Sequence, residues 1–166
     1  MRRGLGAHSG SEKALSFRPD PAVGHVTIKV LNCLGETFMV RAVIIGSGAC
    51  IPPNQVTNGM LSRIMDASDD WIRERSGVET RYYVDEGTAT SDLGAAAAAG
   101  ALEAAAVNRN DLDLIILATM TPDHFFPGSG GLLQSKLGIR NVPCLDIRQQ
   151  CAGFLYGMQL ADAQIR

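Results

Sequence analysis

Large aromatic side chains are scarce in this chain: one Trp, three Tyr and five Phe make up 5% of its 166 residues. Its interior must therefore be built from aliphatic side chains and, with 18 glycines, from close approach of backbones. Long apolar runs are missing as well. None reaches the roughly 18–20 residues that a membrane-crossing helix requires. The first eight residues carry two arginines but no apolar segment follows them, so neither membrane insertion nor a secretory leader is expected. Charge is nearly balanced, at −2, which argues against a nucleic-acid groove or an anionic lipid surface as partner. The four cysteines, Cys33, Cys50, Cys144 and Cys151, form no C-x-x-C pair. That excludes the usual zinc spacing and a disulfide framework, predicts no metal site, and points to a reducing, cytoplasmic compartment. The length suits one ordinary domain, burying roughly 70% of the surface its unfolded form exposes.

What is present falls into two parts. Residues 1–38 are polar and twice interrupted by proline around Arg18-Pro19-Asp20-Pro21. They read as an extension, disordered or lying upstream of a true start at Met39, with one short strand allowed between His25 and Leu34. Residues 39–166 alternate apolar runs with helical periodicity. Val43-Ile44-Ile45 predicts a buried strand ending in the turn Gly46-Ser47-Gly48. Asn58 is a suitable N-cap for a short helix with Leu61, Ile64 and Met65 on its apolar face. A second helix is predicted from Ser68, with Asp69 and Asp70 in its first turn and Gly77 at its end. Val78 to Val84 alternates loosely, as a strand or extended arm. Thr90 or Ser91 is expected to cap a long helix to about Val107, whose body 94–101 is almost all Ala and Gly and can be covered closely on several sides. Leu114 to Ala118 and Val142 to Ile147 are the next strands; Ser129 to Leu137 and the segment from Ala152 onward are the next helices. Strand–helix alternation with continuous apolar strands predicts an α/β layered fold, with parallel strands, buried on both faces, between helices.

The sharpest chemical signal lies where the last strand gives way to the last helix, Leu145-Asp146-Ile147-Arg148-Gln149-Gln150-Cys151-Ala152-Gly153-Phe154. In parallel sheets ligands bind at the C-terminal strand ends. A cysteine opening a helix there has unpaired backbone N–H groups and the positive end of the helix dipole beside it, both of which favour thiolate. Ala152 and Gly153 leave room for a substrate, and Phe154, Met158, Ala161 and Ile165 form an apolar stripe to hold the helix on the core. These residues by themselves allow a nucleophile, but the commoner role of a cysteine is that of a small buried hydrophobe.

Gln-Cys-Ala-Gly-Phe at 150–154 resembles the nucleophile segment of β-ketoacyl-acyl-carrier-protein synthase III enzymes, in the thiolase superfamily. Further stretches resemble that family in order and spacing: Ile45-Gly46-Ser47-Gly48, Pro52, Thr57-Asn58, Ser68-Asp69-Asp70-Trp71-Ile72-Arg73-Glu74-Arg75-Ser76-Gly77-Val78, Arg81 and Phe126-Pro127. The resemblance covers residues 40–166. It implies the first half of a thiolase-like fold, with Cys151 attacking an acyl-CoA and holding the acyl group as a thioester. Malonyl-acyl-carrier protein would then lose CO₂ and its enolate would attack that thioester. The resemblance further implies Trp71 and Arg75 as contacts to the adenine of CoA, with Arg73 and Arg81 near its phosphates, and Phe126 as lining the acyl pocket of a dimer partner. No cofactor is implied beyond the two substrates. The partners implied are acyl-CoA, acyl carrier protein and, for a full-length protein, a second copy.

Each residue also has a plainer reading: Trp71 anchoring its helix in the core, and Phe126 packed locally in its loop. The family's enolate-stabilising His and Asn belong to a second half, and His8, His25 and His124 stand in no matching motif. The chain is therefore expected to be truncated, and an inactive fragment or another condensing enzyme of the superfamily is an alternative. Gln149-Gln150 replace smaller residues, Ala67 stands where Thr is frequent, and His124-Phe125-Phe126 is bulky, which leaves the starter acyl group open. A dinucleotide-binding module is the rival from another class, since Gly46-Ser47-Gly48 follows a strand and Asp66 lies about 20 residues on. Ile51 and Pro52-Pro53 weaken it, because no helix can open there to receive a pyrophosphate.

Overall fold

The computed structural model describes residues 27–30 and 42–166. The rest of the N-terminal segment, including Cys33, His8 and His25, lies outside the described residues, as does the proposed start at Met39. Strand β1 (Thr27–Val30), which falls where a short strand was allowed, pairs antiparallel with β2 (Ala42–Gly46). β3 (Asn54–Thr57) leads directly into the single turn of α1 (Asn58–Leu61). Helix α2 (Asp69–Ser76) follows, and β4 (Thr80–Tyr83) returns antiparallel along β3. The long helix α3 (Thr90–Ala105) precedes β5 (Ile115–Ala118). Helix α4 (Gly130–Lys136) then crosses over to β6 (Cys144–Ile147), which runs parallel to β5 with Ile115 opposite Cys144 and Ala118 opposite Ile147. A 3-10 turn at Gln150–Ala152 opens the last helix, α5 (Gly153–Ile165).

Local chemistry explains the boundaries. Ser68 accepts the Trp71 N–H at 3.1 Å and Gly77 closes α2 at φ 69°, as expected for a serine N-cap and a left-handed glycine end. Gly138 ends α4 in the same way at φ 69°. Two expected caps are replaced. Thr57 rather than Asn58 caps α1, accepting the Met60 N–H at 3.3 Å. At the start of α3 the Asp92 carboxylate accepts the Ala89 N–H at 2.9 Å, while Ser91 is buried and bonds elsewhere. In both places the side chain predicted to cap the helix is recruited by tertiary neighbours.

The alanine-rich α3 is covered closely, as its composition suggested. Ala97 and Ala101 are buried, and a Cβ at Gly46 would come within 2.5 Å of the Ala101 carbonyl oxygen, with Gly48 closer still to that of Ala97. On another side, Leu133 of α4 packs over Gly94. Ile115, Leu133, Leu137 and Ile139 form the buried apolar cluster, with Ala95, Ala98, Leu112, Leu117, Val142 and Cys144 packed around it. Burying each Leu or Ile there contributes on the order of 1.5–3 kcal/mol.

Among the described residues the expected parallel sheet is realised only at β5 and β6; β2 joins β1 instead, and β3 with β4 forms a third two-stranded sheet. Nor are all strands buried on both faces: Val43, Ile44 and Leu145 are exposed. An apolar run marks a strand that can be covered twice, but not which neighbours supply the covering. The short α1 likewise ends at Leu61, leaving Ile64 and Met65 exposed rather than on an apolar helix face.

Candidate active site

Cys151 sits in the 3-10 turn that converts β6 into α5, and it is the exposed cysteine among those described; Cys50 and Cys144 are half-buried. The turn is conformationally unusual. Gln150 adopts φ 39°, in the left-handed region that a glutamine rarely visits. The Ala152 N–H closes the turn on the Gln149 carbonyl at 3.0 Å. Glycine then lets the helix dock: a Cβ at Gly153 would stand 3.1 Å from that of Ala118, and one at Gly157 3.5 Å from Ile116 Cγ2. The face of α5 against the strands is thus the small-residue row that includes Gly153 and Gly157. Phe154, placed on the core-facing stripe by helical spacing, is exposed together with Leu155, Tyr156 and Leu160; Met158, Ala161 and Ile165 are half-buried. Close contact with β5 favours residues lacking a side chain, and this overrides the apolar periodicity.

The strand that presents the cysteine is anchored by its own polar residues. Asp146 accepts the Ser129 N–H at 2.8 Å and the Gly130 N–H at 3.1 Å, placing a carboxylate at the start of α4. A Cβ at Gly128 or Gly130 would lie 2.8 Å from that carboxylate, so glycine is required on both sides of Ser129. Burial and the neighbouring Asp146 push the Cys144 thiol up from its ordinary value, which keeps it protonated and unreactive. Arg148 donates to the Phe125 carbonyl at 2.7 Å and lies over the Phe125 ring. The loop between β5 and α4 is fixed on its other side by Asp123, which accepts from the Ser91 backbone at 3.0 Å and its hydroxyl at 2.5 Å. Burial pushes the Asp123 carboxyl up, but these bonds and the Ser129 hydroxyl outweigh it and hold the carboxyl below its ordinary value. Lys136 in turn bridges Ser91 and Asp92. Residue patterning gave Asp146, Arg148 and Asp123 no individual role and Ser91 only that of a helix cap; the Gly-Ser-Gly-Gly run at 128–131 was the available sign that backbones must approach a neighbour there.

Trp71 and Arg75 are brought together one turn apart on α2, with the Arg75 guanidinium 4.9 Å from the indole centroid. Trp71 is 52% exposed, whereas Ile72 at 8% anchors the helix. Arg73 and Arg81, expected near phosphates, are engaged within the fold. Arg73 pairs with Asp69 and Glu79, and Arg81 donates to the Asn58 side-chain oxygen at 2.6 Å. Phe126 is 91% exposed, so it is not packed within its own loop. Among the described residues no side-chain hydrogen bond joins the α2 pair to the cysteine turn; Phe126 is linked to that turn only through its neighbour Phe125 and Arg148.

Gly46 and Gly48 press against the backbone of α3, and residues 47–53 open no helix, so the glycine turn serves internal packing rather than a pyrophosphate. Among the described residues no group of three or more His, Cys, Asp or Glu could hold a metal, and no helix is long and apolar enough to cross a membrane.

The fold aligns with solved thiolase-like enzymes. It superimposes on 3-oxoacyl-[acyl-carrier-protein] synthase III from Aquifex aeolicus with a TM-score of 0.68 at 40% identity, covering 73% of this chain and 39% of that one. The layered α/β arrangement with a cysteine at a strand-to-helix turn is thus part of a thiolase-like fold. No protein-family model matches the chain. In sequence it is 48% identical over 128 residues to a β-ketoacyl-[acyl-carrier-protein] synthase III of Rhizorhabdus wittichii, and 46% identical over 129 residues to one of Rhodospirillum rubrum. Each match takes in 77% of this chain and 40% of the relative, so the chain spans about two-fifths of the length of these curated relatives. Over the matched residues the chain is similar to the β-ketoacyl-acyl-carrier-protein synthase III enzymes.

Proposed function

We propose that Cys151 is the acyl-accepting nucleophile of an acyltransferase that takes its starter from acyl-CoA and extends it with malonyl-acyl-carrier protein, initiating fatty-acid or related synthesis. The observation that carries this reading is the exposed cysteine on a strand-to-helix turn, within a segment 48% identical to a synthase III. The Cys151 thiolate attacks the thioester carbonyl, the tetrahedral adduct expels CoA as its thiolate, and the acyl group remains on Sγ as a thioester. Exchange between thioesters is nearly isoenergetic, so the acyl group stays activated. Loss of CO₂ from malonyl-carrier protein generates an enolate that forms the new C–C bond and releases the Cys151 thiolate. Acyl-CoA and malonyl-carrier protein are the substrates, and the scheme calls on no further cofactor or metal.

In the same reading Trp71 and Arg75 hold the adenine of CoA; a purine enters between them once the guanidinium lifts from the indole face, over which it lies at 4.9 Å. Phe126, exposed and unattached, reaches the acyl pocket of a second copy in a cytoplasmic homodimer. The condensation step needs hydrogen-bond donors to the enolate oxygen. No histidine of this chain stands in the family's motif for that role, so these 166 residues supply the acyl-transfer step and are inactive in condensation by themselves.

Intact-mass measurement after incubation with acetyl-CoA tests the assignment. One acetyl adduct is expected, absent in Cys151→Ala; an adduct that persists in the variant overturns it. Adding malonyl-carrier protein should then leave the adduct in place. A β-ketoacyl product made by the 166-residue chain would show that it carries the condensation groups after all.

A further inference from the structure

Asn58 is 1% exposed, the most deeply buried polar residue near α2, and all of its side-chain capacity is directed at that helix and its exit. Its amide nitrogen donates to the Asp69 carboxylate at 2.7 Å, on the first residue of α2, and to the Val78 carbonyl at 2.9 Å, two residues beyond the last. Its amide oxygen accepts from Arg81 on β4 at 2.6 Å. One side chain therefore grips both ends of an eight-residue helix and ties them to the strand that follows. Its own backbone continues this hold, because Asn58 begins α1 directly after β3, the partner of β4. Only an amide offers two donors and an acceptor in one plane at this reach. A carboxylate would face Asp69 and a carbonyl with no proton to give, and Ala would take one partner from each of Asp69, Val78 and Arg81.

The helix so gripped makes little apolar attachment of its own, since Ile72 is its buried residue while Trp71 is half exposed. Its pitch and rotation, and with them the direction of the Trp71–Arg75 face, rest on polar bonds. We infer that Asn58 is a positioning residue for CoA recognition: by holding both ends of α2 it sets the angle at which Trp71 and Arg75 meet a nucleotide. This rests on the reading of Trp71 and Arg75 as the adenine contacts.

The test uses the whole chain with CoA and acetyl-CoA as probes, comparing wild type, Trp71→Ala, Asn58→Asp, Asn58→Ala and the double variant Asn58→Asp/Asp69→Asn. Calorimetry should show CoA binding weakened at least fivefold in both Asn58 variants. The KM for acetylation of Cys151 by acetyl-CoA should rise by a similar factor with the maximal rate within twofold. Alkylation of Cys151 by iodoacetamide, which needs no nucleotide, should be unchanged. The double variant restores the bond with donor and acceptor exchanged and should recover part of the affinity. Should Asn58→Ala not fold, Asn58→Asp, which conserves shape, carries the comparison. If Trp71→Ala weakens CoA while Asn58→Asp does not, the positioning role is wrong and the nucleotide site stands. If wild type binds CoA but Trp71→Ala leaves affinity unchanged, or wild type binds no CoA, the nucleotide site itself is misplaced and the inference falls with it.

Discussion

The guanidinium of Arg148 lies 5.2 Å from the ring centroid of Phe125 and donates to the Phe125 carbonyl at 2.7 Å, tying the loop after β5 to the strand end that presents Cys151. Only Gln149 and Gln150 separate Arg148 from the cysteine, so motion of this loop and presentation of the thiol share one anchor. Both partners are exposed, and such a contact contributes only about 0.5–1 kcal/mol. Arg148→Ala should therefore leave the melting temperature almost unchanged while accelerating hydrogen exchange at residues 120–128. Exchange equal to wild type would mean that Asp123 alone holds the loop.

The contact of Gly48 with α3 predicts a large effect from one methyl group. Gly48→Ala drives a Cβ into the backbone at Ala97 and Ala101. Neither can move without displacing the helix, so destabilisation of about 1–3 kcal/mol or more is expected. Gly59→Ala is the control: its Cβ would meet nothing nearer than Thr57 Oγ1 at 3.9 Å, and in a helical turn it should be neutral or stabilising. Urea unfolding of the two variants gives the comparison, and equal midpoints would refute the close approach.

Removing the Ser91 hydroxyl takes a bond from Asp123 and a partner from Lys136 at a fully buried site. Ser91→Ala should cost about 1–3 kcal/mol in urea unfolding, the range for leaving buried polar partners unsatisfied. A change within a few tenths would show that the network adds nothing to stability.

Acid stability follows from the same network. The folded Asp123 carboxyl titrates below its ordinary 3.8, so as pH falls the unfolded chain takes up the proton first. The stabilisation is complete above about pH 4 and is lost as pH drops through the folded value. Asp92, held low chiefly by its hydrogen bond from Lys136, acts in the same direction. Wild type should lose stability from about pH 4 downward more steeply than Asp123→Asn, measured as the urea midpoint against pH. Parallel profiles would mean that the carboxylate is not differentially stabilised by folding.

On α2, Trp71→Ala should weaken CoA binding by about 1–3 kcal/mol, the range for stacking of a base on an aromatic ring. Because Trp71 is 52% exposed and Ile72 carries the burial, the melting temperature should change little. Unchanged affinity with a lowered melting temperature would return Trp71 to a purely structural role.

The sequence by itself determined the α2 ends, the glycine termini, the tightly covered alanine helix and the cysteine at a strand-to-helix turn. Each is specified within a few residues, by a capping hydroxyl, by the left-handed backbone open to glycine, or by the absence of side-chain bulk. The order of elements was legible for the same reason, since apolar period and turn residues act locally. What only the tertiary structure decided was partner choice. Asn58 was a plausible cap by residue type, yet Asp69, Val78 and Arg81 converge on it and Thr57 takes the cap. Phe154 lay on the predicted stripe, yet β5 comes close enough to Gly153 and Gly157 that small residues face it and the ring turns outward. Asp146 and Arg148 sit two residues apart on one strand end, and nothing local shows that one reaches α4 and the other Phe125. Helical and strand periods state which face of an element is apolar; the distance and identity of the neighbour on that face are set by the packing of segments far apart in the chain.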